Sequence, residues 1–172
     1  MIIIDITIIV LLLILAYQDF RYRAVSWILL VLAVVPLVIN AAGTLHYKDI
    51  IFNFLINAGF VVIQFLSVTL YFSLKNRSLT NIFNRYIGTG DVIMFMIMCI
   101  AFSPVNFIVF TTLGLFLLTI IYGINYIIYK TNKLIPLAGC MSLILICLFI
   151  VKITAGVDFY DDNLIVGGWM IG

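Results

Sequence analysis

A chain of 172 residues that is 66 % hydrophobic and only 9 % charged lies far outside the composition of a globular domain. Several apolar runs approach or exceed the about 18 residues that mark a transmembrane helix. This excludes a separate soluble domain, and the formal net charge of +2 bears on membrane topology rather than on a nucleic-acid partner.

The apolar runs predict helices at about 1–18, 25–42, 50–74, 91–104, 105–129 and 134–155. A bilayer core of about 30 Å takes about 20 helical residues per crossing, so the expected fold is all-α: a polytopic bundle of about six transmembrane helices in one membrane-embedded domain, 1–172. Strands of the same apolar residues would leave backbone groups unsatisfied in lipid. The first run lacks a basic stretch before it and a small-residue cleavage site after it, which predicts a retained helix and not a signal peptide.

Lysines and arginines sort the two membrane faces. With the N-terminus outside, the inner loops hold Arg21, Arg23, Lys75, Arg77, Arg85, Lys130 and Lys133, leaving Lys48 and Lys152 outside. Among the acids, Asp5, Asp49, Asp158, Asp161 and Asp162 fall outside with both termini; Asp19 and Asp91 fall inside. Asp19 ends the first run. Asp91 follows Gly88-Thr89-Gly90 and opens the fourth.

From Val92 to Phe102 a helix rises only about 17 Å, so the fourth helix falls short of a full crossing unless it continues past Pro104. Pro104 and Asn106 mark a turn or a kink there. In the third helix Asn53, Asn57, Gln64 and Tyr71 fall close to one side, a stripe that suits interhelical hydrogen bonds or, less simply, a wet cavity. The loop at 75–90 is polar and long for a bundle connection. Cys99, Cys140 and Cys147 lie in apolar runs without metal-ligand spacing and read as buried small residues; His46 reads as a solvated loop side chain.

Ionisable groups in membrane segments are costly and usually functional. Two carboxylates within a few ångströms share one proton, so the ionised member can deprotonate water while the protonated member polarises a carbonyl. That chemistry requires no metal or cofactor. Gly88 and Gly90 would let a substrate backbone approach and allow unusual φ angles. Simpler roles exist: Asp19 could pair with Arg21 or Arg23, and Asp91 could cap its helix. A small transporter using the two carboxylates to bind or relay a proton or cation is the rival function.

Three segments in order, Asp19-Phe20-Arg21-Tyr22-Arg23-Ala24-Val25, Gly88-Thr89-Gly90-Asp91-Val92 and Ile135-Pro136-Leu137-Ala138-Gly139, are similar to motifs of the type IV prepilin peptidase family, membrane aspartic proteases with a Gly-x-Gly-Asp motif. The resemblance implies Asp19 and Asp91 as catalytic residues, Gly88 and Gly90 in the active-site loop, and no cofactor. It implies a prepilin or pseudopilin substrate with a basic leader and an apolar helix, cut at the cytoplasmic face of a bacterial inner membrane. The chain departs from the family's usual residues at Val25-Ser26-Trp27, at Ile93 and at Cys140. The family's N-terminal domain with paired cysteines has no counterpart in the sequence, so peptidase activity without methyltransferase activity is expected.

Overall fold

The computed structural model describes residues 1–77, 88–129 and 136–162, and the elements among them are all helical. Six helices follow in order: α1 (Ile2–Tyr22), α2 (Trp27–Ala42), α3 (Tyr47–Asn76), α4 (Thr89–Met98), α5 (Pro104–Tyr129) and α6 (Leu137–Ala155). Four of them, α1, α3, α5 and α6, are long and apolar enough to cross a membrane; α2 and α4 are shorter. Arg85, Lys130, Lys133, Ile135 and most of the 75–90 loop lie outside the described residues.

The centre of the bundle is the pair α1 and α6. On α1 the buried positions Asp5, Ile8, Leu12, Leu15, Ala16 and Asp19 recur every three or four residues and form one stripe. The facing turn of α6 begins with small residues, Ala138, Gly139 and Cys140, which let the two backbones approach closely. The pair is antiparallel: Asp19 bonds Gly139 at one end, and Asp5 bonds Lys152 at the other. From residue 5 to 19 on α1 and from 139 to 152 on α6 the helices rise by nearly the same length, about 20 Å, so both contacts share one register.

At the Asp5 end three polar side chains close on one another. Lys152 Nζ lies 3.0 Å from Asp5 Oδ1 and donates to Asn40 Oδ1 at 2.8 Å, while Asn40 Nδ2 donates to Asp5 Oδ1. The rings of Phe149 and Phe159 cover the ammonium, with centroids 5.4 and 5.6 Å away. Lys152 and Asp5, expected on the outer side of the membrane, are thus an internal ion pair joining α1, α2 and α6.

Helix α4 ends at Met98, well before Pro104. The proline stands at the first position of α5, where its missing N–H costs nothing, and it disfavours helical geometry in the residue before it. Asn57 of α3 satisfies this break, donating to Cys99 O and Phe102 O at 3.0 Å each. Segment 156–162 straps the same turn through Ser103 N–H to Phe159 O, Asn106 Nδ2 to Phe159 O, and Tyr160 Oη to Ile100 O. Within the predicted stripe Asn57 makes these bonds, whereas Tyr71 is exposed.

Outside the polar stripe α3 is largely apolar, yet it buries only Asn57 and Val61 and leaves many large apolar side chains exposed, as in a helix long and apolar enough to cross a membrane. Cys99 and Cys140 are buried as expected. Cys147 is not: it lies on the outward face of α6.

Candidate active site

Sequence-distant Asp19 and Asp91 meet at the first turn of α6. This turn begins after Pro136, and a proline has no side-chain acceptor with which to cap a helix. The amides that a capping side chain would normally take, at the second and third positions, are those of Ala138 and Gly139. Each is taken by a carboxylate from another helix. Gly139 N–H donates to Asp19 Oδ2 at 2.6 Å, and Ala138 N–H donates to Asp91 Oδ1 at 3.0 Å. Because these donors belong to consecutive residues, the two accepting oxygens are no more than about 9 Å apart. The positive end of the α6 dipole faces both.

Asp19 reaches this position because α1 runs a full turn beyond its predicted end, to Tyr22. Its backbone carbonyl accepts the Arg23 N–H that closes α1, where Arg23 adopts a left-handed conformation with φ 51°. The side chain is free to leave its own helix, and it is 6 % exposed. Arg21 and Arg23 are exposed, and among the described residues neither forms an ion pair with Asp19. The sequence option of an Asp19–arginine pair is therefore not what the structure has.

Asp91 lies in the first turn of α4 and is partly buried. Its Oδ2 accepts the Gly88 N–H at 3.3 Å, a long bond, so the capping role is present but occupies only one oxygen. The other oxygen crosses to α6.

The glycines act differently from expectation. Gly88 has an ordinary extended backbone, φ −72° and ψ 146°, and Gly90 is helical; Gly156 is the one described glycine with positive φ. The unusual φ angles expected at Gly88 and Gly90 are absent because α4 begins directly at Thr89. At Gly88 a Cβ would come within 3.3 Å of Asp91 Oδ2, while at Gly90 it would meet Val25 at an ordinary 3.5 Å. Of the three glycines at the site the tightest is Gly139, where a Cβ would lie 3.1 Å from Asp19 Oδ2 and 3.2 Å from both Asp19 Cβ and Phe20 Cε2.

Two further residues complete the surroundings. Gln18 Oε1 accepts the Ser26 N–H at 3.1 Å and fastens the connection between α1 and α2 beside the site. Tyr122 of α5 brings its hydroxyl 3.6 Å from Cys140 Sγ. Neither stands out in the sequence; only the Pro136 helix start, with Ala138 and Gly139 two and three residues on, signals free amides there. No three His, Cys or Asp side chains cluster as a metal site among the described residues.

The arrangement offers two carboxylates, neither in an ion pair among the described residues, and two main-chain donors. Such a set can hold and exchange one proton between two acids beside an oriented water. No family model, curated protein or solved structure matches the chain.

Proposed function

We propose that the chain is a membrane-embedded aspartic endopeptidase of the type IV prepilin peptidase kind, with Asp19 and Asp91 as the catalytic pair. The observation that carries the reading is the convergence of two acids, one from α1 and one from α4, on adjacent amides of α6, with neither acid in an ion pair among the described residues. Asp19, Gly88, Asp91, Ala138 and Gly139, which make or receive these contacts, belong to the three segments whose order resembles that family.

In this reading one carboxylate is ionised and the other protonated. The ionised one removes a proton from a water as its oxygen attacks the scissile carbonyl; the protonated one donates to the carbonyl oxygen. Collapse of the tetrahedral intermediate returns a proton to the leaving amine and breaks the C–N bond. The pair exchanges its proton as a unit, so acid and base are not fixed to one residue. The α6 amides stabilise whichever carboxylate is charged.

The substrate would be a prepilin or pseudopilin cut between its basic leader and its apolar helix. Burial of Asp5 against Lys152 supports the cytoplasmic orientation of the site: once this internal pair is set aside, Lys48 is the one basic residue left on the outer side of the count.

The test is co-expression with a prepilin-like substrate. Wild type should shorten it, and Asp19→Asn and Asp91→Asn should each abolish shortening. Leader removal that persists in both variants would leave capping of α6 as the whole role of the two acids.

A further inference from the structure

One polar group beside the two carboxylates lacks a strong partner. The Tyr122 hydroxyl contacts Cys140 Sγ at 3.6 Å, and a thiol is a weak hydrogen-bonding group at any distance. No second partner for this hydroxyl occurs among the described residues. The ring is partly buried against the core, which limits its motion. Cys140 follows Gly139 directly, which puts the hydroxyl at the level of the α6 amides, and the charges of Asp19 and Arg23 both bear on it.

A peptide cut where an apolar helix begins must present extended backbone to the carboxylates, and its carbonyls then lose their helical partners in a poorly hydrated setting. A fixed donor near the site would satisfy one of them. Among the described residues the hydroxyl contacts Cys140 and neither carboxylate, so it is placed to reach a flanking carbonyl and not the scissile one.

We propose that the Tyr122 hydroxyl is a substrate-binding donor that holds a main-chain carbonyl next to the scissile bond. This rests on the endopeptidase reading. A contact to a flanking carbonyl is made equally before and during reaction, so its loss raises KM and spares kcat.

The experiment uses the purified chain in detergent with a single-span substrate carrying a short basic leader ahead of an apolar helix. Tyr122→Phe, which keeps the ring, should raise KM roughly tenfold while kcat stays within about twofold. Cys140→Ala should retain wild-type constants. Unchanged KM in Tyr122→Phe, a fall in its kcat alone, or equal impairment of Tyr122→Phe and Cys140→Ala would each overturn the assignment; the last would make the hydroxyl a link between α5 and α6. Failure of the underlying reading looks different: wild type leaves the substrate intact and both proposals fall, or Asp19→Asn still cleaves and the carboxylate chemistry falls.

Discussion

The two ends of the α1–α6 pair bury acids in opposite ways. At one end Asp5 is held by the ammonium of Lys152 and the amide of Asn40, so the cluster is close to neutral and each charge has an opposite within 3.0 Å. At the other end Asp19 and Asp91 are held by main-chain amides and a helix dipole, which stabilise a negative charge without cancelling it. A compensated acid has no reason to exchange its proton. Two uncompensated acids beside each other do, because full ionisation of both is unfavourable. The same helix pair thus carries one end suited to holding the bundle together and one suited to chemistry.

Replacing the acids tests this contrast most severely. Asn keeps a side-chain oxygen that can still accept the α6 amide, so Asp19→Asn and Asp91→Asn should fold while losing proton transfer. Cleavage of a leader-bearing substrate should fall by roughly 10²–10⁴-fold in each, with thermal unfolding in detergent little changed. Parallel loss of stability and cleavage would break the comparison, because it would make this end structural too.

The Asp5 end should respond the other way. Lys152→Met leaves a buried carboxylate without its cation, and breaking such a pair costs about 3–5 kcal/mol. Adding Asp5→Leu and so removing both charges should recover most of that loss. Cleavage per folded molecule should remain near wild type throughout. Thermal unfolding of the single and double variants checks the first part, and substrate turnover normalised to folded protein checks the second. A double variant no more stable than the single one would show that Asn40 and the rings need the ions in place.

The helices were legible in the sequence because lipid-compatible runs must be long and nearly free of charge; the six runs correspond to the six helices among the described residues, but only four of these are long and apolar enough to cross a membrane, against about six crossings expected. Their ends were less so. Asp19 looked terminal, since Arg21 and Arg23 follow it, yet the helix continues to Tyr22 because its closing geometry falls at Arg23. The break before Pro104 came earlier than the proline itself, since Asn57, distant in sequence, satisfies the Cys99 and Phe102 carbonyls of the turn after α4. The two acids stood out as rare charges flanked by apolar residues, but Ala138 and Gly139 did not, because an amide donor has no side-chain signature. The Asp5–Lys152 pair was hidden for a related reason: both residues lie near helix ends, where a charge ordinarily reaches water, and only the packing of α1 on α6 removes them from it.

The glycines give a finer measure of how tightly the Asp19 end is built. At Gly139 an added methyl would press on Asp19 Oδ2, Asp19 Cβ and Phe20 Cε2 together, and neither the α1 backbone nor the ring can withdraw without loosening the helix pair. Gly139→Ala should therefore shift Asp19 off its amide and slow cleavage by roughly tenfold, the scale expected when a reacting group is displaced by a fraction of an ångström. Gly90→Ala meets Val25 at an ordinary contact distance and lies in a helix that alanine favours, so its turnover should stay within about twofold of wild type. Initial rates of leader removal for the two variants, side by side, decide the matter. Equal effects would mean that the spacing between α1 and α6 does not control the position of Asp19, and that the close approach at Gly139 serves packing alone.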